Sequence, residues 1–240
     1  MTPSLRVVLL RPKEDGNVGA VARALRNFGV TDMVLVSPRA KLGPEARRRA
    51  MAGLPILQRA RVLGSLEESV EDTDLVVGTT DLSGGRTRSY LRRSVTPEEL
   101  SLMVQRVQGT VSLVFGPEDN GLNREELARC DVLAHIPADR TFPTLNLSHA
   151  VTVLLYVLHR GRVPAEDPVE LHGATEALFF DLLERFLTEC RYPPHKRKGL
   201  RLLFRRVLGR SLPSRYEYTM LLGFLRRAMY RRKGWTKTAG

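Results

Sequence analysis

The chain has 240 residues, a formal net charge of +12 and two cysteines. That length buries a sizeable core without metal or disulfide staples, and Cys130 and Cys190 stand in no CxxC or Cys/His cluster, which excludes a zinc site and a disulfide framework and fits a reducing compartment. The apolar run near the N-terminus stops at Arg11-Pro12 and no stretch reaches the roughly 18 apolar residues of a membrane span, so a soluble, cytoplasmic protein is expected.

Short apolar runs at Leu5 to Leu10, Met33 to Val36, Leu75 to Val77, Val111 to Phe115 and Val132 to Ile136 predict strands, with helical stretches between them. The alternation predicts an α/β fold, a mostly parallel sheet with helices on both faces. Ser65 with Glu68, Thr96 with Glu99 and Asn123 with Glu126 carry the cap-to-glutamate spacing of helix starts, and Pro97 sits at the favoured first helical position. Leu145 to Leu158 reads as a helix that is apolar on nearly every side, buried by the sheet or by a second subunit.

Residues 161–170 are rich in Pro, Gly and acids and predict a linker. The expected organisation is one domain over residues 1–160, the linker at 161–170, and a small helical domain over 171–240. Within that last segment Ala174 to Thr188 and Arg215 to Tyr230 have helical spacing, broken at Tyr192-Pro193-Pro194 and at Leu212-Pro213. Charge changes along with the pattern: residues 1–160 carry +3, residues 161–190 carry −5 and residues 191–240 carry +14. A polyanion is the expected partner of such a segment, because Lys and Arg contacts release the counterions condensed on phosphates. A solvated helical surface is the plain alternative. The interleaved Tyr192, Phe204, Tyr216, Tyr218, Tyr230 and Trp235, some of them able to stack on unpaired bases, favour RNA.

Three strand-to-helix connections carry candidate chemistry. Asp15 to Arg23 follows the first strand and opens a helix, where free backbone N–H groups favour an anion such as an RNA phosphate. Phe115 to Leu122 offers Gly116 for close backbone approach and Glu118 as a carboxylate at a strand end. Pro143 to His149 places Asn146 and Ser148 at a helix start, where both are also ordinary capping residues. Connections at the C-terminal ends of parallel strands are where such sheets bind ligands.

Together Asn17-Val18-Gly19-Ala20-Val21-Ala22-Arg23, Phe115-Gly116-Pro117-Glu118 with Gly121-Leu122, and Leu145-Asn146-Leu147-Ser148 resemble the three motifs of the SpoU (TrmH) branch of the SPOUT RNA methyltransferases, in order and in separation. Within that branch the sequence is most similar to the TrmJ type, which acts on tRNA nucleotide 32, and the resemblance covers roughly residues 4–160. It implies transfer of a methyl group from S-adenosylmethionine to a ribose 2'-hydroxyl, without a metal, in a homodimer with a trefoil knot at Thr79 to Asp81, Gly116 to Gly121 and Ile136 to Ser148. It further implies Arg23, Asn17, Glu118 and Asn146 as the catalytic set, and Thr79, Leu113, Val114, Phe115, Gly116, Ile136, Leu145 and Ser148 around the cofactor. Pro117 and Asp119 depart from the basic residues many TrmJ-like members carry there, while Arg86, Arg88, Arg92 and Arg93 are further candidates for RNA contact. His149 and His159 are expected to serve packing. Two other readings stand beside this one: an rRNA 2'-O-methyltransferase of the same fold, and a non-catalytic RNA-binding protein. The basic segment following the sheet domain, with none preceding it, favours tRNA, and the full polar set favours catalysis.

Overall fold

A computed structural model describes residues 3–80, 94–139, 141–161, 169–170 and 173–235. Its contacts divide the chain into two compact units, Met1–Pro168 and Val169–Gly240. Arg86, Arg88, Arg92, Arg93 and most of the expected linker lie outside the described residues.

In the first unit the strands are β1 (Ser4–Leu10), β2 (Asp32–Val36), β3 (Arg61–Leu63), β4 (Leu75–Thr79), the two-residue β5 (Val107–Gln108), β6 (Thr110–Phe115) and β7 (Val132–Ala134). The helices are α1 (Asp15–Asn27), α2 (Pro44–Ala50), α3 (Leu54–Arg59), α4 (Leu66–Val70), α5 (Pro97–Val104), α6 (Arg124–Arg129) and α7 (Leu147–Arg160). Six strands form one sheet in the order β3-β2-β1-β6-β4-β7, and every pair in it is parallel. Val8 lies opposite both Val34 and Val114, and Gly78 opposite both Val114 and Leu133. That row carries one face of the core, closed by Leu66 of α4 and by Leu122 and Cys130 on either side of α6. Strand side chains alternate between faces, so Leu5, Val7 and Leu9 point the other way, where Leu5 shares a cavity with Phe28, Ser101, Val104, Leu155 and Leu158 at the ends of α1, α5 and α7.

Local signals explain the helix ends. Thr96 with Glu99 and Asn123 with Glu126 form complete capping boxes, whereas at α4 Ser65 accepts from Glu68 N while the Glu68 carboxylate turns to Gly64 N. α7 begins two residues later than its apolar run suggests, because Asn146 leaves helical geometry to accept the Ser148 amide. β7 stops at Ala134, short of Ile136, which turns into a ligand-sized cavity. At the opposite end of the sheet the buried Arg6 guanidinium holds Asp32 (2.7 Å), Asp72 (2.5 Å) and the Ser69 carbonyl (3.1 Å).

The second unit contains α8 (Gly173–Glu189), α9 (Pro194–Ser211) and α10 (Arg215–Trp235). Phe179 is its centre, edge-on to Phe180, Phe204 and Tyr218, with Leu183, Leu208 and Leu222 around it. α9 fills the span the sequence leaves unassigned between the two proline breaks.

Candidate active site

Loops at the C-terminal ends of β4, β6 and β7 enclose a cavity of about 390 Å³ lined by Thr79, Phe115, Gly116 to Leu122, Ile136, Pro143 to Leu145 and Leu147. The volume lies in the range of small-molecule sites. The wall combines apolar and polar groups, and among the described residues its only ionisable members are the carboxylates of Glu118 and Asp119. Gly116 is required here, since a side chain at that position would collide with the backbone of Gly121 and Leu122 where the loop closes. Gly121 has a φ of +60°, the left-handed conformation that lets the loop turn.

One hydrogen-bonded chain ties the three connections together. Glu118 accepts from the amides of Lys13 (3.0 Å) and Glu14 (3.2 Å) and from Asn17 Nδ2 (3.0 Å). Asn17 Oδ1 accepts from Asn146 Nδ2 (3.0 Å), and Asn146 Oδ1 accepts from Ser148 N (2.9 Å) and Ser148 Oγ (2.8 Å). The direction is self-consistent. An ionised carboxylate only accepts, so it fixes the Asn17 amide, which fixes Asn146, which ends on the two Ser148 donors. Burial pushes the Glu118 pKa up, but the bonds from Asn17, its own amide, Lys13 and Glu14 outweigh it and hold the group below the usual carboxylate range.

Glu118 therefore occupies the two amides that precede α1, those of Lys13 and of the capping residue Glu14. Gly19 lies inside α1 and is small for another reason: a side chain there would collide with the Ala46 carbonyl of α2. Asp15, at the head of α1, receives the amides of Lys41 (2.7 Å), Leu42 (3.1 Å) and Gly43 (2.7 Å) and so anchors the connection after β2. Lys13 pairs with Asp119 at 2.5 Å, so the residue that departs from the family pattern has a local cation of its own.

Of the residues expected around a cofactor, Thr79, Phe115, Gly116, Ile136 and Leu145 line the cavity. Leu113 and Val114 are fully buried within β6, where the Val114 carbonyl accepts from Thr79 Oγ1 (3.1 Å), and Ser148 stands behind Asn146. Asn17, Glu118 and Asn146 come together, while Arg23 is exposed on α1, does not line this cavity and has no hydrogen-bond or ion-pair partner among the described residues. His159 meets the Phe28 ring at 5.8 Å, as a packing residue would, whereas His149 is exposed. The roles of Lys13 and Asp15 escaped the sequence reading; only Asp15 carried a signal, as an acid at a helix start. No group of His, Cys, Asp and Glu able to hold a metal occurs among the described residues.

The profile of the SpoU rRNA Methylase family matches residues 4–156. A Pseudomonas aeruginosa relative, the tRNA (cytidine/uridine/adenosine-2'-O-)-methyltransferase TrmJ, is 35% identical over 244 residues, which is 94% of this chain and 93% of that protein. The crystal structure of TrmJ from Z. mobilis superposes with a TM-score of 0.69 at 30% identity, covering 93% of this chain and 98% of that one. The SpoU methyltransferase AviRb from Streptomyces viridochromogenes, in complex with AdoMet, shares the fold at a TM-score of 0.53 and 21% identity, over 65% of this chain and 59% of its own. This chain belongs to the SpoU methylase family of RNA methyltransferases and, within it, is similar to TrmJ.

Proposed function

We propose that this protein methylates a ribose 2'-hydroxyl of tRNA with S-adenosylmethionine as donor, at nucleotide 32 of the anticodon loop. The observation that carries the reading is the chain from Glu118 through Asn17 and Asn146 to Ser148 at the edge of the cavity. The cavity chemistry fits the donor. Apolar Ile136, Leu145 and Phe115 suit an adenine, the 116–121 backbone supplies hydrogen-bonding groups, and Glu118 and Asp119 favour a cationic sulfonium over a phosphorylated cofactor. Bound there, the donor would supply an electrophilic methyl group.

The protein's own contribution is alignment and charge. Asn17 and Asn146, locked by Glu118 and Ser148, orient the ribose against the cavity mouth, which removes the entropic part of the barrier. Arg23 stabilises the oxyanion that develops at the 2'-oxygen, a role that suits a permanently charged guanidinium better than proton abstraction. The reading includes a homodimer, in which an exposed Arg23 outside the cavity of its own chain would act at the site of a second copy. Half-exposed Tyr156 on α7, beside Phe28 of α1, supports an interface on that side. A knotted connection belongs to the same reading; that residues 143–145, between β7 and α7, line one cavity with the loops after β4 and β6 supports it. Residues 171–240 serve as the RNA-binding domain, joined by 161–170, and the cytoplasm is the compartment that holds the substrate.

The test is incubation with methyl-labelled S-adenosylmethionine and undermodified tRNA or rRNA, followed by nuclease mapping. Label on the ribose of tRNA nucleotide 32 is expected. Label on a base, on rRNA alone, or on no RNA overturns the reading.

A further inference from the structure

The second unit sorts its aromatic residues into two sets. Phe179, Phe204 and Tyr218 close its core, but Tyr216, Phe224 and Tyr230 of α10 are 73%, 67% and 80% exposed. At 3.6 residues per turn, positions 216, 220, 223, 227 and 230 follow one line along the helix for about 21 Å, with Phe224 beside it. Met220 is exposed on that line as well. Gly223 lies in its middle, and a side chain there would meet open space. A glycine inside a helix costs roughly 1 kcal/mol relative to alanine. Neither turn geometry nor internal contact explains it, since α10 runs through it without interruption. Close approach of something outside the helix does.

We propose that this face of α10 is a stacking platform for unpaired RNA bases, with Arg226 and Arg227 taking the adjoining phosphates and Gly223 giving a flat ring access to the helix surface. The proposal deepens the reading above and rests on RNA being the substrate. Charge selects the occupant: the single acid of residues 191–240, Glu217, is engaged with Ser214 at the helix start, and the charged residues further along the face, Arg226 and Arg227, are cationic. Aromatic rings stack on bases whatever their identity, whereas duplex RNA offers no free base face.

The experiment measures binding of the full chain to tRNA, to an anticodon stem-loop and to a fully paired duplex, across a salt series, with ribose methylation followed in parallel. Gly223→Ala is the decisive variant, because it raises the melting temperature of the chain or leaves it unchanged while weakening tRNA binding, so that lost binding is separable from lost folding. Tyr216→Ala and Phe224→Ala each weaken binding at least about fivefold with an unchanged salt slope, and Phe224→Trp restores it. Arg226→Gln and Arg227→Gln instead reduce the slope by about 0.7 per lost contact. Equal binding by Gly223→Ala and wild type, or a change in oligomeric state in place of a change in RNA affinity, overturns the platform; the latter assigns the face to a second copy. A wild-type chain that binds tRNA but methylates none of it refutes the enzymatic reading and leaves the platform to stand on the binding data. A wild-type chain that binds no RNA refutes both.

Discussion

Replacing Glu118 by glutamine tests the hydrogen-bonded chain at its anchor. The carboxylate accepts from Glu14 N and Asn17 Nδ2 at Oε1 and from Lys13 N at Oε2. A glutamine has one acceptor oxygen. Set at Oε1, it turns its own amide donors onto the Lys13 N–H; set at Oε2, it faces the other two. At best one donor of the three is stranded, and the two surviving bonds lose charge assistance. A stranded buried donor costs about 1–3 kcal/mol, and partial exposure of Glu118 to water brings the expected loss to about 1–2 kcal/mol near neutral pH. Urea denaturation of Glu118→Gln and wild type measures it. The pH dependence follows from the sign of the pKa shift: the folded pKa of Glu118 lies below its ordinary value, so its contribution is present above the unfolded pKa and is lost as pH falls through the folded one. The stability gap between the two proteins is therefore full at about pH 7 and closes below about pH 4. A gap of equal size at both ends of that range refutes the claim that the ionised carboxylate organises the site. Methyl transfer should fall with the gap, because Asn17 and Asn146 lose their orientation.

Arg23→Ala is expected to abolish turnover and leave S-adenosylmethionine affinity within about twofold by calorimetry, as a side chain outside the cavity should; a matching loss of cofactor binding shows the residue misassigned. Gly116→Ala forces the 116–121 loop open against Gly121 and Leu122, so cofactor binding should be lost while far-UV circular dichroism stays that of the wild type. Arg6→Met removes the cation that Asp32 and Asp72 share, but Asp32 keeps Arg61 and Asp72 is largely exposed, so the expected loss in urea denaturation is about 1–2 kcal/mol. The Asp72 part of that effect, with the carboxyl lowered to about 2 by the Arg6 hydrogen bond, is lost only as pH drops from about 4 towards 2, and its exposure keeps that part small. Removing everything after Arg160 should weaken tRNA binding and flatten its salt dependence; unchanged affinity and slope would show that the basic helices are not the RNA anchor.

Much of the sheet was legible because its strands are buried on both faces and read as continuous apolar runs, as at Val7 to Leu10 and Val111 to Phe115. β3 was not, since Arg61 and Val62 are exposed at the sheet edge and only parallel pairing with β2 makes them a strand. Strand order was beyond reach for a related reason. Nothing in the apolar runs says that β6 inserts between β1 and β4, yet that insertion brings the loop after Phe115 beside the loop after Leu10. α9 went unassigned because its cations are spread around the whole helix and blur the apolar period, with even Arg206 turned inward.

The site shows the same limit more sharply. Each of Asn17, Glu118 and Asn146 was picked out by its motif, but their mutual bonding crosses more than a hundred residues of sequence and depends on β1 and β6 being neighbours. Beside the start of α1 the amides of Lys13 and Glu14 hold an anion that the sequence does not reveal, the protein's own Glu118, delivered by the connection after the adjacent strand. Cations that could hold RNA phosphates are concentrated in residues 191–240, where Arg226 and Arg227 stand beside an exposed aromatic face. On the proposed function, orientation of the ribose and capture of the RNA fall to different parts of the chain. Variants of the first should change turnover, and variants of the second should change RNA affinity.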